Sequence, residues 1–236
     1  APSRGADPRK DRMDKLIREF EKKNAHLMSR FLSKKLKIEH LWEEDRVNAL
    51  ATFDLDDFPV IQIMGGVSRY PQISDDAIRL ILCHELGHFI GGMPKKFKGN
   101  TNIPSWSSAE GQADYFSTAV CFKNYERQNT PVSASAEVQA ICAGNQDCLR
   151  MTQASQELMG IWAKLKATSK IPNVLERDLN FVAQTNVNYP SLQCRLDTMV
   201  NGARCSHLSD EYLKKTEIVC LEESDQTLRP NCWFFE

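Results

Sequence analysis

The sequence predicts one α+β domain, mostly helical, with a small β-sheet and a buried helix. Three observations carry this reading. Apolar residues recur at helical spacing over several long stretches, and only two short adjoining stretches read as strands. A central helical stretch is apolar on every side, as buried helices are. The 236 residues are 42% hydrophobic and 26% charged, an ordinary globular composition. Neither a repeat nor a linker divides them, so residues 1–236 read as a single domain.

The elements follow in order. Residues 1–9 hold Pro, Ser, Gly and charges and read as a loose leader. Over residues 10–36, Met13, Leu16, Ile17, Phe20, Leu27, Phe31 and Leu32 recur at helical spacing and predict an N-terminal helix. Val47 to Phe53 and Phe58 to Met64 read as strands joined by the acidic turn Asp54 to Asp57, the second ending at Gly65-Gly66. Ser74-Asp75-Asp76 offers a helix N-terminus, and that helix runs to Ile90, where Gly91, Gly92 and Pro94 stop it. Lys95 to Ser108 reads as a polar loop, and a further helix spans about Ser107 to Asn124. Residues 47–124 thus form the core that carries the chemistry. Residues 132–205 read as a helical part: two helices interrupted near Gly144-Asn145, an ambiguous stretch over 170–189, and a short helix from Pro190 to Asn201. Residues 206–236 read as an irregular tail stapled by cysteines.

Charge and cysteine content narrow the setting. A net charge of -1 gives no overall basic field to hold nucleic acid. The most apolar uncharged run, Phe58 to Ser68, is far short of the ~20 residues a membrane-spanning helix needs. Ala1-Pro2-Ser3 is compatible with the end left by removal of a signal peptide. The 8 cysteines form no CxxC pair, which argues for disulfides in an oxidising compartment, the bacterial periplasm first and secretion next. Proximity suggests Cys142–Cys148, Cys194–Cys205 and Cys220–Cys232, leaving Cys83–Cys121. Oligomeric state is not legible.

The chemistry concentrates in Ile81-Leu-Cys-His-Glu-Leu-Gly-His-Phe-Ile90. His84 and His88 stand four apart, so both imidazoles share one helix face, with Glu85 beside them. Burying that set among Ala, Ile, Leu and Phe is costly unless a divalent cation compensates it. Zinc accepts neutral imidazoles and needs a third protein ligand. The position at which a metzincin carries its third histidine is Pro94, which cannot ligate. A better candidate is Glu110-Gly-Gln-Ala-Asp114, two carboxylates four apart on the next helix. Glu110 is then the third ligand, and Asp114 accepts from the ring N–H of His84, orienting it. The alternative for these two acids is a solvated first helical turn. A His2Glu site with one open position, one zinc per chain, is the composition of a catalytic centre. Its open position would hold a water of lowered pKa, with Glu85 as the base that takes its proton.

With HELGH at 84–88 and EGQAD at 110–114, the chain resembles the gluzincin metallopeptidases. Asn48-Ala49-Leu50-Ala51, then a strand, a glycine pair and the HELGH helix, repeat the order of the HtpX-like and CAAX-prenyl-protease-type family. Tyr189-Pro190 and Arg195 resemble that family's later His-Pro…Arg segment, with Tyr189 in place of the histidine. The resemblance implies a zincin-like fold and an endopeptidase acting on extended or unfolded polypeptides. It implies that Asn48, Ala49, Leu50 and Ala51 form the sheet edge that binds substrate. It also implies that Arg195 or Tyr189 could steady the oxyanion, a structural salt bridge being the other reading of Arg195. A latent or non-catalytic zinc-binding scaffold is the competing function.

Overall fold

Asp7 opens the first helix by accepting from the backbone N–H of Arg9, and Pro8 supplies a first-turn residue with no N–H to satisfy. The computed structural model describes residues 7–125, 132–205, 220, 224 and 226–235. The leader thus falls mostly outside the described residues, and residues 8 and 9 are already helical. Helix α1 (Pro8–Lys23) buries Met13, Leu16, Ile17 and Phe20. The single helix expected over 10–36 breaks at Asn24, and α2 (Ala25–Phe31) follows. Asn24 is fully buried, and its side-chain amide turns back onto the Phe20 carbonyl while its oxygen accepts from Asn124. Those bonds compete with straight helix continuation.

A three-stranded sheet comes next, in the order β1 (Lys37–Leu41), β3 (Pro59–Met64), β2 (Ala49–Phe53). β2 and β3 pair antiparallel, with Ala49 opposite Ile63 and Ala51 opposite Ile61. β1 pairs parallel to β3 and was not expected. Its sequence, Lys-Ile-Glu-His-Leu, lies at a half-exposed edge and carries too few apolar residues to show a period. The pair Gly65-Gly66 does more than end β3: it starts the short helix α3 (Gly65–Arg69).

Helix α4 (Asp75–Ile90) has the predicted bounds. Ser74 caps it by accepting from the Ala77 N–H, and Asp75 and Asp76 complement its positive end. Every residue from Ala77 to His88 is buried. The buried Arg79 is satisfied by Glu19 and Asp76.

The stretch read as a polar loop is a hairpin of β4 (Lys95–Phe97) and β5 (Pro104–Ser108), with Gly99 in the left-handed region at φ 54° in its turn. Helix α5 (Glu110–Phe116) starts later than expected because Ser107 and Ser108 belong to β5, and wider and then tighter turns carry it on to Asn124. The helices α6 (Ala136–Cys142) and α7 (Gln146–Leu165) are interrupted where expected, with Ala143 left-handed and Asn145 capping α7. Residues 170–189 hold no helix or strand, and Ser191 caps α8 (Leu192–Arg204). No helix among the described residues is long and apolar enough to cross a membrane.

Four disulfides close the chain, which fits an oxidising compartment. Cys83–Cys121 and Cys142–Cys148 match the expected pairs. The other two are corrections: Cys194 pairs with Cys232 and Cys205 with Cys220. Cys194 lies in the first turn of α8 and Cys205 caps its far end, so a rise of ~1.5 Å per residue separates them by roughly 16 Å. A disulfide spans no more than ~7 Å between Cα atoms, so nearness in sequence misleads once a helix intervenes. Of the tail, residues 206–219 and 221–223 lie outside the described residues, while Cys220 and Cys232 stand in these bridges.

Candidate metal centre

Two helices build the site, and small residues let them meet. Gly87 lies against Ala113, where a Cβ on Gly87 would come 3.0 Å from the Ala113 Cα. Gly111 lets the Trp233 ring close against α5, since a Cβ there would fall 2.3 Å from the ring. Gln112 donates to the Gly91 carbonyl at 2.7 Å, satisfying the C-terminal end of α4. Cys83–Cys121 ties α4 covalently to the extension of α5, next to His84. The EGQAD segment therefore spends its other residues on docking, so that Glu110 and Asp114 face α4.

His84, His88 and Glu110 are buried, and one ligand atom from each lies within 4.8 Å of the others. His84 Nε2 is 3.3 Å from Glu110 Oε2 and His88 Nε2 is 3.7 Å from Glu110 Oε1. The opposite ring nitrogens are engaged elsewhere. His88 Nδ1 is 3.0 Å from the Ser108 carbonyl, so it donates there, and the Ser107 hydroxyl lies 3.2 Å away. His84 Nδ1 is 2.8 Å from Asp114 Oδ1, a close ionic contact but too poorly angled for a good hydrogen bond. Both Nε2 atoms are thereby left to face Glu110. Two imidazoles and a carboxylate so disposed could hold a metal ion, and the donor set fits a divalent cation.

Electrostatics follow from burial and neighbours. Burial alone would lower His84, but the charge of Asp114 outweighs it, with help from Glu110, and holds the imidazolium up to about 10. Burial and the charge of His84 push His88 down to about 3, so it is neutral. Burial raises Glu85 to about 7, against the pull of His84. Burial would raise both Glu110 and Asp114, yet both are held low, Glu110 mainly by His84 and Asp114 mainly by Arg195. A cation arriving at the two Nε2 atoms must displace the His84 proton.

The remaining sequence-predicted residues line one cleft of about 520 Å³ together with the His-Glu-His set. Asn48 and, on the edge strand β2, Ala49, Leu50 and Ala51 form one wall. Tyr189 and Arg195 stand on the Glu110 side. Of the two readings left open for Arg195, the ion pair is what the geometry displays. Its Nε and Nη2 bond Asp114 at 2.7 and 2.8 Å, and Nη2 lies 3.8 Å from Glu110.

Lys96 is a residue the sequence reading missed. From β4 its ammonium donates to Glu110 Oε1 at 2.5 Å. Trp106, Ser107 and Lys166 also line the cleft. Trp106 stacks on Phe89 with centroids 5.1 Å apart and meets Phe53 edge-on at 5.0 Å, closing one end. A Gly-Asn pair at 99–100 inside the presumed loop was the available hairpin signal. No family model, curated protein or solved structure matches the chain.

Proposed function

We propose that the chain is a zinc-dependent endopeptidase of zincin-like fold, acting on extended or unfolded polypeptides in the periplasm or outside the cell. One observation carries the reading: a buried His-His-Glu set able to hold a metal shares its cleft with a second acid, Glu85, and with an open strand edge. Zinc suits two imidazoles and one carboxylate, and none of the cysteines is free to compete as a thiolate. The resemblance to the HtpX-like and CAAX-prenyl-protease-type family supports the same choice.

When bound, the ion supplies a Lewis acid that acidifies water and polarises a carbonyl. The chain's own residues do the rest. The β2 edge at residues 49–51, with Asn48 just before it, offers main-chain groups to an extended segment, which gives affinity with little side-chain selection. Glu85, brought to about 7 by burial, takes a proton from the attacking water and returns it to the leaving amine. Asp114 and the Ser108 carbonyl orient the rings of His84 and His88. Arg195 holds Asp114 in place and is a positioning residue in this scheme.

Cleavage of casein by zinc-loaded wild type beside Glu85→Gln tests the proposal. Wild type should cut, and the variant should keep one zinc per chain while losing about 10²–10⁴-fold in rate. Wild type without zinc would overturn the ligand assignment. A second reading, a latent or non-catalytic zinc-binding scaffold, draws on the Lys96 ammonium already seated on a ligand oxygen. It predicts that both proteins hold zinc and neither cuts.

A further inference from the structure

The two walls of the cleft differ in charge. Asn48, Ala49, Leu50 and Ala51 bring none. On the other side Lys96, Lys166 and Arg195 converge on a single ring, that of Tyr189. Their charged groups lie 5.5, 5.8 and 6.0 Å from its centroid. Among the described residues the acids lining this cleft are Glu85 and Glu110.

Each charge can be matched in turn. Asp114 takes Arg195 in a two-bond pair. A divalent ion would bring two positive charges against those of Glu85 and Glu110. That leaves Lys96 and Lys166. Lys96 now bonds Glu110, but a cation ligated by that carboxylate would repel the ammonium and release it. No carboxylate among the described residues pairs with Lys166, which follows the last turn of α7. Tyr189 adds a phenolic hydroxyl, a donor, on the same side of the cleft.

We propose that Lys96, Lys166 and Tyr189 form a carboxylate-binding subsite on the Glu110 side of the cleft, selecting polypeptides that present an acidic side chain or a free C-terminus there. The proposal rests on the peptidase reading for the direction of the bound chain. Glu110 plays the part of the substrate carboxylate while no cation is bound. An incoming carboxylate takes its place on Lys96, with the Tyr189 ring beneath and Lys166 at the mouth. An ammonium–carboxylate bond in a half-buried cleft discriminates against the neutral amide by about tenfold or more.

The test uses zinc-loaded full-length Glu85→Gln as a trap that does not turn over. Fluorescein-labelled peptides of one apolar frame are titrated by anisotropy, with Glu or Gln placed at successive positions and with a free or amidated C-terminus. One placement of the carboxylate should bind about tenfold more tightly than its neutral partner, less so as salt rises. The gain should vanish when Lys96→Met and Lys166→Met are added, and persist with Lys96→Arg and Lys166→Arg. Preference for internal Glu identifies an acidic side chain, and preference for the free end identifies the C-terminus. A gain that survives both Met substitutions overturns the proposal, as does no gain at any position or no binding at all. Unfolding temperature and zinc content verify that the Met variant is intact, and the Arg variant keeps the result readable if it is not. The casein assay separates the two claims. Casein cleavage without a charge preference removes the subsite alone, and charge-dependent binding without cleavage removes the peptidase alone.

Discussion

Replacing Arg195 by Met tests what that guanidinium does. Arg195 Nε and Nη2 bond the two oxygens of Asp114 at 2.7 and 2.8 Å, and Asp114 is fully buried. Removing the guanidinium takes both hydrogen bonds from a buried carboxylate and leaves it only the poorly angled contact with the His84 imidazolium. Breaking a buried pair from one side costs about 3–5 kcal/mol, most of it the charge left behind. At ~2–4 °C per kcal/mol for a chain of this size, the unfolding temperature should fall by roughly 6–20 °C. Adding Asp114→Asn to Arg195→Met removes the carboxylate left behind and should recover part of that loss, because two partners of one bond are not additive. Urea unfolding or calorimetry of the zinc-free proteins measures the whole cycle. Suppose instead that Arg195→Met leaves stability within about 0.5 kcal/mol of wild type. If casein cleavage by the zinc-loaded protein then falls a hundredfold, the guanidinium serves the reacting carbonyl and its positioning role is refuted.

The other predictions concern loading and rigidity. Zinc affinity, measured by chelator competition, should rise about tenfold per pH unit between roughly pH 7 and 9, because His84 carries a proton up to about 10 that the metal must displace. Below about 7 the slope should steepen, since Glu85 then holds a second proton, and a flat profile would refute the protonated His84. The same His84 shift gives the metal-free protein stability that is complete below the unfolded value near 6.5 and is lost as pH rises through about 10. Lys96→Met should tighten zinc binding by about ten- to a hundredfold, the worth of the charged hydrogen bond it removes from Glu110. Weaker binding would mean that the lysine orients its ligand. Changing Cys83 and Cys121 to Ser should cost about 4 kcal/mol of stability from chain entropy for a sequence separation of 38. It should also weaken zinc binding, since the bridge joins the two ligand-bearing helices, and unchanged melting would show that their packing alone holds them.

Much of this site was legible because its chemistry is local. His84, Glu85 and His88 share one helix, whose bounds follow from Ser74 and Gly91, and a period of 3.6 places both imidazoles on one face without any knowledge of the fold. The same holds for Glu110 and Asp114 on α5. Bringing the two helices together was an inference from chemistry: a buried carboxylate and buried imidazoles each need what the other offers. The missed parts depend on chain segments whose meaning is set at a distance. Lys96 reads as one lysine of a basic loop until β4 pairs with β5 and the pairing carries its ammonium to Glu110. Arg195 had two readings because sequence fixes its place on α8 but not which anion α8 meets. The disulfides divide along the same line. Cys142–Cys148 spans a short turn between helices and was readable, whereas Cys194 and Cys205 sit at opposite ends of one helix that their spacing does not reveal.

These long-range pieces also separate two jobs that one constellation could be taken to do alone. His84, His88, Glu110 and Asp114 are held by helix packing, a disulfide and a buried ion pair, so their positions are fixed before any ligand arrives. Lys96 stands on a two-stranded hairpin whose other strand supplies the Ser108 carbonyl that orients His88. The ammonium on Glu110 and the carbonyl that turns His88 thus share a structural unit. On the proposed function, occupancy of Glu110 and presentation of the cleft to substrate both depend on β4 and β5. This makes Lys96→Met the substitution that tests both together: it should raise metal affinity while weakening the preference for a carboxylate, and a change in only one of them would separate the two roles.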